Sequence, residues 1–539
     1  INIYTITETG IQTFTFTHNN ASSNLIIRGL SNALFSLSNV SVKEYTSADM
    51  DVTRATAATR VDENGLVNYA EVIGSELVAD GSFPTGTSEW GTGTGVTVGG
   101  GVATFTSTPS GQSIQQNAVA TDLPNGSLAK VSFEVLSRTE GSFGLYFSGT
   151  LVGSRSSVGV FTAYFTKGTQ TSFYIRALGT TSGTISNVSV IEEVRDNVPR
   201  IDYTGGGCPH ILAEPQRTNL VTYSEDFSQT KWTGSPTTAD VTVTTNTNPS
   251  GASGTYSVEN VTGTQLGSFY TITSGVDYTN SFYVRNISGS GVISLKDINN
   301  SGTAFTATSE WQKFSVTGTS NSTTGRIYLS VTTLGDIVEV WGAQLEVGSY
   351  PTSYILTSGS TVTRNQDIFT RDGIGSLINS TEGVLFVEIA AFADYTTYRY
   401  MGLTDGGSDN RVIILYYNSS TRIRVLLSSG GTKYFDAYYA VTSIEDFHKV
   451  ALKWKENDFA LWIDGVERAT DTSGLAPIGL NTVALDQAGG DNFYGKVKQL
   501  QVYDTALTDE QLLQLTGESG TDFYESYAEM ASALTYTIQ

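Results

Sequence analysis

The chain has 539 residues, of which 52 are acidic and 30 basic, so its formal net charge is −22. This length is several times that of an ordinary domain and predicts three or four domains. The hydrophobic content of 39% excludes a disordered protein and is sufficient for packed cores. The acidic balance argues against nucleic acid as a partner and against an anionic membrane surface. No apolar run reaches the roughly 18 residues of a membrane span, so no membrane insertion is expected.

Short segments with alternating apolar and polar residues run through the chain. Examples are residues 131–135 and 385–389, and turns rich in Gly, Ser, Asn and Asp separate such segments. This pattern is typical of antiparallel sheets with one buried face. We therefore predict an all-β fold built from tandem β-sandwich modules of the jelly-roll type. Only residues 508–515, which begin with Thr508 as a cap, and residues 522–534 show helical patterns.

One sequence unit occurs twice and defines two modules. Residues 73–195 and 218–357 share matching segments, and Trp90 and Trp232 recur at equivalent places in them. We predict a jelly-roll module over each range, which we call module one and module two. The recurrence of the tryptophans predicts a structural role for both in the shared core.

The N-terminal residues 1–48 match only the back half of this unit. The SNVSV sequence at 38–42 recurs at 186–190. Half a sandwich would expose its core face and should not be stable alone. We therefore expect either that the start of this module is missing or that another chain completes it.

Polar connectors separate these units at 49–72, 196–217 and 358–379. They are too long for tight turns, so we expect ordered straps that pack against neighbouring modules. The last large unit spans 380–517 and is called module three below. Residues 518–539 predict a helix and strand clasp, which needs a partner surface because so short a helix is marginal alone.

Module three carries a series of motifs near its end. They are WIDGV at 462–466, GKVKQLQVY at 495–503 and LTDEQ at 507–511. The Asp464-Gly465 pair in the first motif is typical of a two-residue hairpin turn. The order of the motifs resembles the concanavalin A-like lectin/glucanase family of the laminin-G type. The resemblance implies that the tandem modules end in a concanavalin A-like sandwich.

Modules one and two resemble carbohydrate-binding modules of the jelly-roll type. In addition, RIDY at 200–203, EPQRTNL at 214–220, SEDF at 224–227 and WGAQLE at 341–346 resemble sequences of phage structural proteins. In those proteins such modules sit on tail fibres, head fibres or other virion appendages. The resemblance implies a virion surface location, with three kinds of partner: other virion proteins, copies of this chain in a homo-oligomer such as a trimer, and host surface glycans.

A catalytic constellation is missing from the sequence. Laminarinase-like relatives of the sandwich use Glu-x-Asp-x-x-Glu on one strand, which points three carboxylates into one cleft. The nearest sequence here is END at 456–458, in a turn and without the third carboxylate. The single cysteine, Cys208, lies near His210, but its glycine-rich surroundings are no rigid scaffold for a nucleophile. The histidines are too scattered for a zinc site. We predict no catalytic residues and no enzymatic activity.

Two acidic loops of module three are candidates for calcium binding. One contains Asp405 and Asp409, and the other contains Asp486 and Asp491. Concanavalin A-like sandwiches often hold calcium on rim loops, and backbone carbonyls could add further oxygen ligands. The alternative is that Asp, Gly and Asn form ordinary turns here. Calcium is the one cofactor for which the sequence offers candidates.

Tyrosines of module three are the candidates for glycan binding, because sugars stack on exposed rings. They are Tyr395, Tyr398, Tyr400, Tyr416, Tyr417, Tyr434, Tyr438 and Tyr439. The alternative is that tyrosine is simply favoured in strands. The leading hypothesis is a non-enzymatic, fibre-like protein of a phage virion surface that presents glycan-binding sandwiches for host attachment. The alternatives are a capsid or filament decoration or spacer protein that binds no sugar, a secreted bacterial adhesin and, less favoured, a glycan hydrolase.

Overall fold

The computed structural model of the chain describes residues 50–84, 89–117, 119, 123–147, 149–169, 171–205, 208–232, 241–263, 265–393, 398–417, 421–487 and 489–517. The predicted half-module at 1–48, Tyr395 and the predicted clasp at 518–539 lie outside the described residues. Within them, strands form several packed sheets and a short helix lies near residue 510. The prediction of an all-β fold of tandem β-sandwiches is therefore confirmed.

The first connector contains three short strands. They are β1 (Asp51–Thr53), β2 (Thr59–Val61) and β3 (Val67–Tyr69). Strands β2 and β3 pair with each other as a small hairpin. Strand β1 leaves the connector and pairs with a strand of the third connector more than 300 residues further along the chain.

Module one consists of nine strands. They are β4 (Val72–Glu76), β5 (Gly91–Thr92), β6 (Val96–Gly99), β7 (Val102–Thr108), β8 (Ser113–Gln116), β9 (Leu128–Phe147), β10 (Thr150–Arg155), β11 (Gly159–Thr166) and β12 (Phe173–Val194). The long strands β9 and β12 pair along most of their length, with register shifts on the way. Their alternating residues fill a core with buried rings that include Phe105, Phe133, Phe143 and Phe173. The nine strands belong to one sheet, and the predicted alternation gives this sheet an apolar face.

The two ends of module one lie side by side. Strand β4 pairs antiparallel with the end of β12, so that Val72 lies opposite Val194. The flanking connectors also meet, because Tyr203 N–H donates to Val61 O at 3.0 Å. Module one is therefore inserted between the first and second connectors, which contact each other directly.

The second connector supplies three further strands. They are β13 (Ile201–Asp202), β14 (His210–Ala213) and β15 (Arg217–Asn219). The strands β13 and β14 pair with each other, and β14 also joins the edge of a sheet in module three. The connector therefore contributes to the module that lies furthest from it in sequence.

Module two is a sandwich of a five-stranded and a four-stranded sheet. Its strands are β16 (Val241–Thr247), β17 (Ser253–Glu259), β18 (Gln265–Thr271), β19 (Asp277–Ser288), β20 (Val292–Lys296), β21 (Gly302–Thr306), β22 (Gln312–Thr319), β23 (Thr324–Val331) and β24 (Ile337–Val347). The sheet orders are β16-β17-β24-β19-β22 and β18-β23-β20-β21. The pairing of β8 with the start of β12 in module one corresponds to the pairing of β18 with β23 in module two. The single long strand β12 thus corresponds to the two strands β23 and β24.

The recurring tryptophans have the same surroundings in both modules. Trp90 Nε1–H donates to Asp80 O at 3.0 Å, and Trp232 Nε1–H donates to Tyr223 O at 3.1 Å. Each indole also packs against the phenylalanine upstream of it, Phe83 or Phe227. Both tryptophans are buried in their cores, which confirms the predicted structural role.

The third connector contains β25 (Val362–Arg364), which pairs with β15, and β26 (Ile368–Arg371), which pairs with β1. Module three follows. Its strands are β27 (Glu382–Ala391), β28 (Arg399–Thr404), β29 (Arg411–Tyr416), β30 (Arg422–Ser429), β31 (Thr432–Ala440), β32 (His448–Lys455), β33 (Phe459–Ile463), β34 (Val466–Asp471), β35 (Thr482–Ala484) and β36 (Gly495–Tyr503). Two seven-stranded sheets result, in the orders β1-β26-β35-β28-β29-β30-β31 and β13-β14-β36-β27-β32-β33-β34. Four of these fourteen strands belong to the connectors.

The helix α1 (Asp509–Thr516) closes the described part of module three. Thr508 is its N-cap and forms a capping box with Gln511, as its sequence predicts. The buried Leu512 packs with Val384, Phe386 and Trp462 on the outer face of the second sheet. The helix therefore covers an apolar patch that this sheet would otherwise expose.

A cluster of charged side chains joins the three connectors, and we call it the connector ion cluster. It consists of Arg54, Arg200, Glu214, Arg364 and Asp367. Arg54 Nη1 lies 2.7 Å from Asp367 Oδ1, and Glu214 Oε2 lies 2.5 Å from Arg200 Nη1 and 2.7 Å from Arg364 Nη1. Arg200 also pairs with Asp367, and none of the five side chains is more than 3% exposed.

The ionisation of Glu214 shows how the connector ion cluster is balanced. Burial alone would raise the pKa of this carboxyl. The attraction of Arg200 and Arg364 and the hydrogen bond from Ser353 outweigh the burial and hold its pKa well below the ordinary range. Glu214 is therefore charged in the folded protein, and its charge depends on the neighbouring arginines.

Candidate functional site

Four strands of module three carry one row of side chains that is continuous across the sheet. Tyr400, Leu415, Arg424 and Tyr438 lie directly opposite one another across β28, β29, β30 and β31. Neighbouring strands are about 4.8 Å apart, so the row extends over roughly 14 Å. Alternation along each strand sends these residues outward and their neighbours into the core. The fold therefore builds a flat outer face from residues that are far apart in sequence.

Further tyrosines extend this row into a platform of rings. The ring centroids of Tyr398 and Tyr417 are 5.3 Å apart, and the rings of Tyr417 and Tyr438 stack with an interplanar angle of 8°. Tyr398 and Tyr400 pack on a small apolar cluster in the same face, formed by Ile413, Leu415 and Leu426. Tyr438 is 59% exposed, so at least one ring offers much of its surface to a ligand.

Two arginines accompany the rings. Arg424 binds Asp436 through two hydrogen bonds, of 2.7 Å from Nε and 2.5 Å from Nη2. These bonds raise the pKa of Arg424 and fix its guanidinium 5.0 Å from the Tyr417 ring centroid. Arg422 lies 4.9 Å from the Tyr438 ring centroid and has no carboxylate partner among the described residues. We call Tyr398, Tyr400, Tyr417, Tyr438, Arg422 and Arg424 the tyrosine–arginine face.

The sequence interpretation missed both arginines of this face. Arg422 and Arg424 alternate with the apolar residues Ile423 and Val425. This alternation places both arginines on the outer face of β30, so the signal was present. Glycan binding requires Asn, Asp, Arg or Gln for the sugar hydroxyls as well as aromatic rings, but the predicted site residues were tyrosines only.

The structure separates the other predicted tyrosines from the tyrosine–arginine face. Tyr416 is fully buried and stacks on Phe493 at 5.6 Å, so its prediction as a glycan-binding residue is wrong: inward alternation makes it part of the core. Tyr439 points to the opposite side of β31 from Tyr438, under Arg468. Tyr434 is on β31 and lies beside Gly474, which belongs to the loop after β34. Four of the eight predicted tyrosines are therefore brought together.

The candidate calcium loops are held by their own hydrogen bonds. Asp405 accepts from Gly407 N–H at 2.9 Å and from Asn410 Nδ2 at 2.8 Å, while Asp486 accepts from Gly489 N–H at 3.0 Å. In the part of the chain that the structure describes, no group of three or more His, Cys, Asp or Glu side chains could hold a metal ion. The carboxylates of Asp405 and Asp486 are thus bound within their own turns, whereas no such bond is seen for the carboxylates of Asp409 and Asp491 among the described residues. Calcium binding there stays a prediction.

The residues considered for catalysis lie apart from the tyrosine–arginine face. Asp458 pairs with Lys453 at 2.7 Å in the turn between β32 and β33. Cys208 is exposed, whereas His210 is buried 3.5 Å from Asp202, and burial lowers the pKa of His210. The absence of enzymatic activity stays a prediction.

Module three is recognised by a protein-family comparison. Residues 385–513 match the family described as the concanavalin A-like lectin/glucanases superfamily. The chain therefore contains a concanavalin A-like domain, as the motifs at 462–511 predict. A comparison with curated proteins found no match.

Solved structures of carbohydrate-binding modules are similar to parts of the chain. The CBM40 module of Ruminococcus gnavus IT-sialidase shows 19% identity and a TM-score of 0.24, over 26% of this chain and 86% of that chain. The tandem CBM22 domain of Paenibacillus barcinonensis Xyn10C shows 11% identity and a TM-score of 0.20, over 51% and 98%. The tandem CBM51 modules of a family 98 glycoside hydrolase of Streptococcus pneumoniae show 8% identity and a TM-score of 0.17, over 57% and 97%.

The search for membrane-spanning helices is negative within the described residues. None of the helical segments there combines the length and the apolar composition that a bilayer crossing requires.

Proposed function

We propose that this chain is a non-enzymatic glycan-binding protein whose module three binds saccharides on the tyrosine–arginine face. The observation that carries the proposal is the row from Tyr400 to Tyr438, in which rings and a fixed guanidinium share one face of the sheet and Tyr438 is exposed on it. Sugar rings stack their apolar C–H faces on aromatic rings, and their hydroxyls accept hydrogen bonds from arginine. The concanavalin A-like fold of module three supports this use of the sheet.

The setting that we propose is an appendage on the surface of a phage virion, fibre-like and used for host attachment. The motifs at 200–203, 214–220, 224–227 and 341–346 support it through their resemblance to phage structural proteins. Association with other virion proteins and with copies of the same chain, for example as a trimer, would multiply weak glycan sites. Such multivalency raises the overall affinity without any new contact.

The first test compares two adjacent tyrosines. We expect Tyr438→Ala to weaken binding on a glycan array by about tenfold. The substitution removes an exposed aromatic ring on which a sugar could stack and leaves the buried core unchanged. Tyr439→Ala is the matched control, since it removes the next ring on the same strand but on the opposite side. Equal binding by both variants and the unchanged chain would exclude this face as the site.

A purely structural role is the second candidate, and the connector ion cluster favours it. Arg200 and Glu214 belong to motifs that resemble those of phage structural proteins. Both side chains are buried between the connectors, so these motifs serve to hold the fold together. On this alternative the chain is a decoration or spacer protein, in a capsid or filament. Cryo-electron microscopy of the native assembly distinguishes the two: an outward tyrosine–arginine face supports attachment, and a face buried between subunits supports a spacer.

Two further alternatives have direct tests. A genomic neighbourhood without capsid or tail genes would favour a secreted bacterial adhesin over a phage protein. Release of reducing sugars from a polysaccharide panel would show a glycan hydrolase and overturn the non-enzymatic proposal.

A further inference from the structure

A concave site lies at one end of the four-stranded sheet of module two. It is formed by Phe269 on β18, Arg326 on β23 and two loops that precede β21 and β23. The lining includes Phe269, Ile298, Asn299, Asn300, Asn321 and Arg326. It therefore combines an aromatic ring, an aliphatic floor, several amides and one guanidinium, and it shares no residue with the tyrosine–arginine face.

Arg326 contributes a positive charge to this site. Its guanidinium lies 4.6 Å from the Tyr328 ring centroid and 5.8 Å from that of Phe269, and Nη1 donates to Tyr328 Oη at 3.1 Å. No carboxylate forms an ion pair with it among the described residues, although the chain has 52 acidic residues and only 30 basic ones. Arg285 in the same module, by contrast, is held by Glu339. Arg326 is therefore a fixed positive charge with donors left for a ligand.

The position of Arg326 depends on a glycine in the neighbouring strand. Gly267 lies opposite Tyr328 in the register of β18 and β23. A Cβ atom at position 267 would come within 1.7 Å of the Tyr328 ring. The missing side chain lets this ring lie flat across β18, where it supports the guanidinium from below.

The loops of this site are held rigidly by their own hydrogen bonds. Asn299 Nδ2 donates to Thr319 O at 2.8 Å, and Asn299 Oδ1 accepts from Asn321 N–H at 3.0 Å, which ties the two loops together. Asp297 Oδ1 accepts from the backbone N–H of Asn299 and of Ser301, so this carboxylate is committed to its own turn. Pre-formed loops of this kind reduce the entropy lost on binding.

Two amide side chains of the loops are open to a ligand. Asn300 and Asn321 are exposed, and their side-chain amides make no hydrogen bond within the described part of the chain. Each amide offers a donor and an acceptor, the combination that a sugar hydroxyl requires. Phe269 is 48% exposed beside them and supplies an apolar surface.

We propose that this pocket of module two is a separate binding site for a saccharide that carries a carboxylate. Arg326 binds the carboxylate, Asn300 and Asn321 bind hydroxyls, and Phe269 contacts the apolar face of the sugar. A guanidinium is suited to this task, because it pairs with a carboxylate through two parallel hydrogen bonds. The proposal rests on the proposed function in assuming that the chain binds glycans, but it uses different residues and a different ligand charge.

The test uses the full chain and isothermal titration with oligosaccharides of alginate, a uronate polymer, and with N-acetylneuraminate as a second carboxylated sugar. Neutral dextran oligosaccharides are the uncharged probe. We expect Arg326→Gln to weaken binding of at least one carboxylated sugar by about tenfold or more. Arg155→Gln is the matched control, because it removes the same charge from an exposed hairpin of module one whose arginine contacts only local carbonyls.

Further variants keep the outcome unambiguous. Arg326→Lys retains the charge without the planar fork and should restore part of the affinity, whereas Phe269→Ala should weaken binding without altering its salt dependence. Unchanged binding by Arg326→Gln, or no saturable binding of either carboxylated sugar by the full chain, would overturn the proposal. Loss of glycan binding in Tyr438→Ala alone would instead concern the tyrosine–arginine face, so the two proposals fail separately.

Discussion

Arg200 is a fully buried arginine at the centre of the connector ion cluster. Its guanidinium contacts Glu214 and Asp367, which come from different connectors, and it also donates to Ser353 Oγ at 2.6 Å. Burial alone would lower the pKa of this arginine, but the two carboxylates outweigh burial and raise it. One side chain therefore neutralises two buried charges that would otherwise be left in a low-dielectric interior.

Replacement of this arginine should be strongly destabilising. We expect Arg200→Met to lower the free energy of unfolding by about 3–5 kcal/mol, because it leaves Glu214 and Asp367 with too little compensating charge. Urea unfolding followed by tryptophan fluorescence measures the loss. Arg371→Met is the control, since Arg371 forms an exposed ion pair with Asp51 that should contribute no more than about 1 kcal/mol. Similar midpoints for the two variants would contradict the structural role of the cluster.

The sequence alone did not predict that the residues of the connector ion cluster contact one another. Arg200 and Glu214 stand in motifs that were interpreted only through their resemblance to phage proteins. The contacting residues are separated by up to 313 positions along the chain, as for Arg54 and Asp367. No local periodicity links residues at such distances, so the cluster could be found only from the packed connectors. The arginines of the tyrosine–arginine face, in contrast, carried a local signal in the alternation of β30.

At the scale of single elements, the hairpin of β33 and β34 follows closely from its sequence. Asp464 and Gly465 both have positive φ, +50° and +75°, and Ile463 lies opposite Val466, which confirms the predicted two-residue turn. The turn also has a second use. The Asp464 carboxylate contacts His448 Nδ1 at 2.6 Å and accepts from Lys449 N–H at 2.9 Å.

This turn makes part of the stability dependent on pH. Burial disfavours the charged imidazole, but the hydrogen bonds with Asp464 and Ser443 O outweigh burial and raise the pKa of His448. A raised folded-state pKa stabilises fully below the ordinary histidine pKa of about 6.5, and this stability is lost as pH rises through the folded value. Burial alone would raise the pKa of Asp464, but the hydrogen bond from His448 outweighs burial and lowers it. The stability from this carboxylate is therefore full above the ordinary aspartate pKa of about 3.9 and is lost as the pH falls through the lowered value.

We expect Asp464→Asn to remove this pH dependence while keeping the turn, because asparagine tolerates positive φ. The measurement is the melting temperature at pH 5.5 and at pH 8.5. The unchanged chain should lose more stability between these values than the variant does. The comparison between chains matters because His210, whose pKa is lowered by burial, changes stability in the opposite direction. Asp471→Asn, at the last residue of β34, should behave like the unchanged chain. The same pH response in all three would argue against the pair.

Elements with a repeating pattern were predictable, and the shortest strands were not. The cap at Thr508 and the spacing of the leucines predicted α1, and alternation predicted the strands of the modules. The strands β1, β13, β14 and β26 have only two to four residues each. Segments of that length show no periodicity, and their partners lie in a distant module. The connectors were therefore expected as straps, without any sign that they complete two sheets of module three.

At the scale of the whole molecule, modules one and two differ in their contacts with the connectors. Module one is joined through neighbouring strands, with Val72 opposite Val194. Module two supplies Ser353, whose backbone N–H and hydroxyl both donate to Glu214 of the connector ion cluster. Removal of module two would therefore take two hydrogen bonds from the buried Glu214. Within the described residues, module one contacts the cluster only through its last residue, where Arg195 O accepts a hydrogen bond from Arg54 Nη2 at 3.3 Å.

This difference predicts the result of two excisions. Replacement of residues 72–194 by a short Gly-Ser turn should leave a folded protein, because the connectors on both sides already contact each other. Replacement of residues 220–356 in the same way should destabilise what remains, because Ser353 is lost. Circular dichroism and calorimetry check both products. A module one excision that aggregates, or two excisions of equal effect, would contradict this view of the architecture.

The pairing of β1 with β26 has a mechanical consequence. Val52 is hydrogen-bonded into the same sheet as Phe369, so the chain between these residues forms a closed loop. A pull exerted at residue 51 and at residue 517 is transmitted through this junction and through the sheets of module three. Modules one and two lie within the loop and carry no load until β1 separates from its neighbour. The pocket at Arg326 therefore keeps its shape under tension that already strains the rest of the molecule.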